Sequence, residues 1–137
     1  MFAVSQRLLL IFSLLSVIVS SGCKNEVTGP TSDIVFPADS VSYSTYVQPL
    51  FNQTCAFAGC HDDGPKQPGN DLSLTSYYNT VFGTPGVVEP GHPETSRLVI
   101  RIEGTSLGSQ MPLNRTPLNQ NQINGIRTWI AEGANNN

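Results

Sequence analysis

The sequence is poor in the residues that most often carry chemistry in proteins. Its 137 residues include three cysteines, two histidines, two methionines and one tryptophan. Charged residues make up only 12% of the chain, and the formal net charge is −3. Nucleic-acid binding requires basic patches, so this composition argues against that class of partner. The chain also shows no internal repeat and no alternation of polar and apolar residues of the kind that predicts strands.

One long apolar run is present, from Leu8 to Val19, close behind Arg7. It is too short for a membrane-spanning helix, which needs about 20 apolar residues, but it has the length of the apolar part of a signal peptide. Small residues then lead into Cys23, a pattern that resembles the lipobox of bacterial lipoproteins, with Ser20 where that family usually has leucine. The resemblance implies cleavage after residue 22 and a lipid on Cys23.

The division of the chain follows from this reading of its first residues. We expect a lipoprotein-type signal peptide over residues 1–22, a flexible tether over residues 23–40, and one domain over residues 41–137. Ordinary secretion, with Cys23 as a free thiol, is the alternative. Lys24 follows Cys23, so the inner-membrane retention signal of the aspartate kind is missing. In a host with two membranes, we expect an anchor at the outer membrane, on its periplasmic side.

Four stretches of the domain have the apolar spacing of short amphipathic helices, which predicts an all-α fold. The first runs from Tyr43 to Phe51 and contains Pro49, which predicts either a kink or the first turn of a shorter helix. The others are predicted from about Thr75 to Gly83, from Pro93 to Gly104, and from Asn119 to Gly133. Ten prolines and twelve glycines predict long loops between these helices.

The last predicted helix has the clearest boundaries. Asn119 is a suitable N-cap, and Gln122 lies three residues later, as in a capping box. Gly125 falls close to the apolar stripe of this helix. It either allows the last helix to cross the first one near Leu50 and Phe51, or is only a weak point in the helix.

The chemistry of the chain is concentrated in Cys55-Ala-Phe-Ala-Gly-Cys60-His61. Two cysteines followed directly by a histidine form the attachment pattern of a c-type haem, in which each thiolate adds to a haem vinyl group and the imidazole binds iron. Four residues separate the cysteines, where the usual pattern has two. A disulfide between Cys55 and Cys60 is one alternative. A zinc site is another, although the adjacent Cys60 and His61 are hard to aim at one tetrahedral ion.

A haem iron bound by His61 needs a sixth ligand, and Met111 is the candidate. It is the only methionine after Met1, lies in a polar stretch without helical period, and precedes Pro112, which restricts its backbone. A thioether ligand raises the reduction potential of the iron. His92, between Gly91 and a proline, is the competing ligand, and a simple packing role is the alternative for Met111.

Taken together, these segments resemble the cytochrome c family. The resemblance covers residues 43–134 and is carried by VQPLFNQTCAFAGCH, QMPL and the closing WIAEGA. It implies an all-helical cytochrome c-like fold in which the first and last helices cross and haem lies between them. It also implies that Cys55 and Cys60 are thioether sites, that His61 is the proximal ligand and that Met111 is the distal ligand.

The predicted function is one-electron transfer by a membrane-tethered cytochrome, with other redox proteins of the cell envelope as partners. Filled axial positions would keep peroxide and oxygen from the iron, which argues against catalysis. If Met111 does not bind, the open iron would suit a peroxidase or a sensor of a gas such as nitric oxide. A third reading is a haem-free lipoprotein that binds other proteins and is stapled by a Cys55–Cys60 disulfide.

Overall fold

The structure is a computed structural model that describes residues 34–65, 70–105 and 108–137. The predicted signal peptide, the lipidation site at Cys23 and most of the predicted tether lie outside these residues. Within the described ranges the chain forms helices and no strands, which confirms the prediction of an all-α fold. In this part of the chain, no helix has the length and apolar character needed to cross a membrane.

The first helical segment consists of two parts. Helix α1, Tyr43–Val47, has π-type hydrogen bonding and continues directly into helix α2, Gln48–Thr54. Pro49 lies in the first turn of α2, where its missing N–H costs little, so the shorter-helix alternative is the one observed. The helix ends at Cys55, whose backbone amide donates to the carbonyl of Phe51. The amphipathic segment therefore ends directly at Cys55, as predicted.

The two middle helices are short. Helix α3, Asn79–Gly83, ends where the sequence predicts, and helix α4, Arg97–Glu103, ends at Gly104 with φ = 71°. The predicted start of α4 at Pro93 is wrong. The chain forms a separate turn there, and Ser96, which is fully buried, directs its hydroxyl to the backbone of that turn. Because this hydroxyl fixes the turn, the helix begins only after Ser96.

Helix α5, Gln120–Ala131, has the predicted boundaries. The Asn119 side chain accepts a hydrogen bond from the Gln122 amide at 2.9 Å, and the Gln122 side chain accepts one from the Asn119 amide at 3.0 Å. This reciprocal capping box satisfies two of the amides that a helix N-terminus leaves without partners. Gly133, with φ = 102°, follows the last turn.

The partner of Gly125 differs from the predicted one. A Cβ atom at this position would overlap the ring of Phe36, so a close approach is the correct alternative, but Leu50 and Phe51 are not the residues involved. Asn121 in α5 holds the extended segment that contains Phe36 through two hydrogen bonds. Its side chain accepts from the Phe36 amide at 2.8 Å and donates to the Phe36 carbonyl at 3.0 Å. The last residues of the predicted tether thus lie against α5.

The core joins the two ends of the domain. The most deeply buried large side chains include Trp129, Phe51, Leu50, Leu74, Ile126 and Ile130. The rings of Tyr43 in α1 and Trp129 in α5 lie 5.3 Å apart between centroids, so the first and last helical segments share this core. Cys55 belongs to the same buried cluster, and Met111 packs against it. The core therefore contacts both parts of the candidate site.

Candidate functional site

Cys55 occupies a buried position at the end of α2, with 8% of its surface exposed. Its sulfur lies 3.1 Å from the Thr54 hydroxyl oxygen. Burial raises the pKa of the Cys55 thiol to about 11, and the Thr54 hydroxyl and the Arg115 charge lower it only in part. A thiol with a raised pKa is mostly protonated at neutral pH, so it is less nucleophilic than an exposed cysteine.

The four residues between the cysteines form a compact loop. The Cys55 carbonyl accepts from the Phe57 amide at 3.2 Å and from the His61 amide at 3.1 Å, and the Cys60 amide donates to the Phe57 carbonyl at 2.9 Å. Gly59, with φ = 81°, supplies a backbone conformation that favours glycine. These backbone hydrogen bonds bring the main chain of His61 back to that of Cys55, and no disulfide joins Cys55 to Cys60. We call residues 55–61 the cysteine loop.

The His61 ring is oriented from the other side. Its Nδ1 lies 3.4 Å from the carbonyl oxygen of Leu72, and its own carbonyl accepts from the Leu74 amide at 2.8 Å. Because a carbonyl can only accept, this contact favours the tautomer with the proton on Nδ1 and the lone pair on Nε2. Histidines that bind metals commonly use their second nitrogen in this way.

Met111 lies in a non-helical segment, as predicted, and that segment is fixed to α4. The Met111 amide donates to the Arg101 carbonyl at 2.9 Å, and the Gln110 side chain donates to the Ile102 carbonyl at 2.8 Å. The peptide bond between Met111 and Pro112 is cis. The partly buried Met111 side chain packs against the core. We call residues 110–115 the methionine segment.

One contact between the cysteine loop and the methionine segment is made by the side chains of Phe57 and Arg115. The guanidinium carbon of Arg115 lies 4.4 Å from the ring centroid of Phe57, a cation–π geometry. The charge of Arg115 also acts on the Cys55 thiol. Sequence reasoning missed both Arg115 and Phe57. An aromatic residue between the cysteines and a cation shortly after the methionine were the only available signals, and neither indicates a contact by itself.

The competing ligand His92 lies at the surface. Its side chain is 68% exposed, and its Nδ1 is 3.4 Å from a carboxylate oxygen of Glu94. Across residues 34–65, 70–105 and 108–137, no three histidine, cysteine, aspartate or glutamate side chains converge to hold a metal ion. A haem iron does not need such a group, because the porphyrin supplies four of its ligands. Met111, rather than His92, is the side chain that the fold places against the core.

A surface groove of about 510 Å³ lies elsewhere, between the segment after Phe36 and the outer face of α5. Its lining includes Asn121, Asn124 and Arg127, and none of the predicted haem residues. Arg127 is engaged in an ion pair with Glu103, with N and O atoms 3.0 Å apart. The groove and the candidate haem residues are thus separate features of the surface.

The donor set fits a c-type haem in residue type and order. Two thiols without a disulfide flank a loop that ends in a histidine with an oriented ring, and a thioether lies in a fixed segment against the same core. Comparison with protein-family models, curated proteins and solved structures found no match to this chain. Haem binding is therefore inferred from the donor residues and their geometry alone.

Proposed function

We propose that this chain is a lipid-anchored c-type cytochrome that transfers single electrons through covalently attached haem. The observation that carries the proposal is the cysteine loop, in which backbone hydrogen bonds close the chain between Cys55 and His61 and neither cysteine forms a disulfide. A cytochrome c-like arrangement of the helices around the haem belongs to the same proposal. The contact between Tyr43 and Trp129, which joins the first and last helical segments, supports it.

Each residue of the donor set has a distinct role in this proposal. Cys55 and Cys60 would hold the haem covalently, because each thiol can add across one vinyl group with no leaving group. His61 would bind the iron through Nε2, because its Nδ1 lies beside the Leu72 carbonyl. Met111 would contribute its thioether sulfur to the iron. When bound, haem supplies an iron that changes oxidation state by one electron.

Location and partners are proposed from the sequence alone. A signal peptide and a lipid on Cys23 would place the domain on the periplasmic side of a bacterial membrane, at the outer membrane in a host that has one. There it would exchange electrons with other redox proteins of the envelope. Two axial side chains would exclude peroxide and oxygen from the iron, so electron transfer is favoured over catalysis.

The test is covalent haem. The full chain is expressed in a bacterium with a c-haem maturation system, and the denatured protein is examined by reduced pyridine haemochrome spectrum and intact mass. We expect a c-type spectrum and the added mass of one haem. The double variant Cys55→Ser/Cys60→Ser should lose both signals.

A haem-free wild-type chain, produced while a reference cytochrome matures normally, would overturn the proposal. A mass two hydrogens lower than that of the reduced chain would then identify a Cys55–Cys60 disulfide. The haem-free binding lipoprotein would become the better explanation of the chain.

A further inference from the structure

The methionine segment is attached to the fold at both of its ends. At one end, Gln110 and Met111 are hydrogen-bonded to the last turn of α4, with donor–acceptor distances of 2.8 and 2.9 Å. At the other end, the contact from the segment to the cysteine loop is made by Arg115, over the Phe57 ring. Met111 is itself part of the first attachment, and Arg115, four residues later, makes the second.

Arg115 closes a turn that begins at Pro112, the residue directly after Met111. The Arg115 amide donates to the Pro112 carbonyl at 3.4 Å, and Asn114 adopts the left-handed conformation with φ = 56°. A turn of this kind moves as a unit, because its backbone is closed by its own hydrogen bond. Because Met111 is joined directly to Pro112, the first residue of this turn, a displacement of Arg115 from Phe57 would shift Met111 as well.

Phe57 is a fixed platform for this contact. Its amide donates to the Cys55 carbonyl, and its carbonyl accepts from the Cys60 amide. The ring consequently projects from a loop whose two ends are the residues that would bond to haem. The four-residue spacer thus supplies an aromatic surface that faces the methionine segment.

We infer that Arg115 is a positioning residue for Met111: its contact with Phe57 holds the methionine segment against the cysteine loop and keeps the thioether on the iron. The inference rests on the proposed function. A thioether is a weak ligand, so an added base such as imidazole competes with it for ferric iron. Loss of the Arg115–Phe57 contact removes one attachment that opposes this displacement.

The size of the effect follows from the contact. An exposed cation–π pair contributes about 0.5–1 kcal/mol, which corresponds to about a two- to fivefold change in an equilibrium constant. We therefore expect imidazole to bind about two to five times more tightly to Arg115→Ala and to Phe57→Leu than to wild type. The double variant should shift no further than either single variant, because both remove the same interaction.

The experiment uses the haem-loaded full chain in detergent. Imidazole titrations of the ferric protein are followed by loss of the charge-transfer band between methionine sulfur and iron. Arg115→Lys keeps a cation over the ring and should restore part of the wild-type affinity. Arg97→Ala is the matched control: Arg97 is also exposed, but it bonds to the Pro85 and Gly86 carbonyls.

The outcomes separate the inference from the proposed function. A wild-type protein without covalent haem, or without the methionine band, overturns the proposed function and this role with it. Wild-type haem with that band, but equal imidazole affinities in wild type and Arg115→Ala, overturns the role of Arg115 alone. An equal shift in Arg97→Ala also overturns it, because the effect would then be one of net charge.

Discussion

The Leu72 carbonyl oxygen lies 3.4 Å from Nδ1 of His61, opposite the backbone bond that joins His61 to Cys55. The His61 ring is thus oriented by the segment that contains Leu72, whereas the His61 main chain is held by Cys55. The Leu74 amide, two residues after Leu72, also donates a hydrogen bond to the His61 carbonyl. This arrangement fixes the proximal side of the proposed haem site independently of the methionine segment, so the two axial positions can be tested separately.

Replacing Met111 with alanine tests the distal position in the haem-loaded protein. We expect loss of the charge-transfer band between sulfur and ferric iron and a lower reduction potential, because a thioether favours reduced iron. Visible spectra and a potentiometric titration measure both changes. Leu113→Ala is the control, since Leu113 is 52% exposed in the same segment. A wild-type protein without this band, with a spectrum and potential that Met111→Ala leaves unchanged, would show that Met111 is not the ligand and would favour the peroxidase or gas-sensor alternative.

The reactivity of Cys55 tests its burial in the haem-free chain. Its pKa of about 11, against an ordinary value of 9.0, means that the thiolate becomes rarer on folding at any pH below 9. We expect alkylation of Cys55 at pH 8 to be about a hundredfold slower in the folded chain than in denaturant. The rate should keep rising up to about pH 11 in the folded chain, but level off above its ordinary pKa in denaturant.

Mass spectrometry of the Cys55 peptide resolves this thiol from the other cysteines. The result expected from the structure is a pair of pH–rate curves displaced along the pH axis. Coincident curves for the folded and denatured chains would contradict the burial of Cys55 at the end of α2.

The features that could be predicted from the sequence are those set by neighbouring residues. The capping box of Asn119 and Gln122, the stop at Gly133 and the position of Pro49 each depend on a few successive residues. The start of α4 was predicted incorrectly, because Pro93 suits a first helical turn. The buried hydroxyl of Ser96, which binds the preceding turn, is a feature of the folded chain.

The features that could not be predicted join distant parts of the chain. The small size required at Gly125 was recognisable, but its partner Phe36 lies in a segment without periodic pattern. Within the candidate site, Cys55, Cys60 and His61 could be selected from the sequence, because they lie in one short stretch. The contact between Arg115 and Phe57 depends on how two loops meet, which spacing does not encode.

The cap of α5 gives a prediction for stability. Asn119→Ala removes the acceptor for the Gln122 amide, and we expect it to lower the free energy of unfolding by about 1 kcal/mol. Asn119→Asp should keep most of that stability, because aspartate is an equally good cap. Denaturant titration followed by the helical circular dichroism signal is the measurement. Gln120→Ala, at an exposed neighbouring position, should change little, and an equal loss there would count against the cap.

The contact of Gly125 with Phe36 predicts whether Gly125→Ala raises or lowers the free energy of unfolding. At most interior positions of a helix, replacing glycine with alanine stabilises by up to about 1 kcal/mol. At Gly125 the new methyl group overlaps the Phe36 ring, so we expect Gly125→Ala to destabilise the protein by about 1–3 kcal/mol. Denaturant titration again provides the free energy of unfolding.

The background Phe36→Ala supplies the control for this overlap. Without the ring, the added methyl group has space, so Gly125→Ala should become neutral or stabilising by up to about 1 kcal/mol. The non-additivity of the two substitutions then measures the close approach directly. Stabilisation by Gly125→Ala in the otherwise unchanged chain would show that Phe36 does not lie on α5. The segment before α1 would in that case be a tether up to its last residue, as the sequence predicts, rather than part of the packed domain.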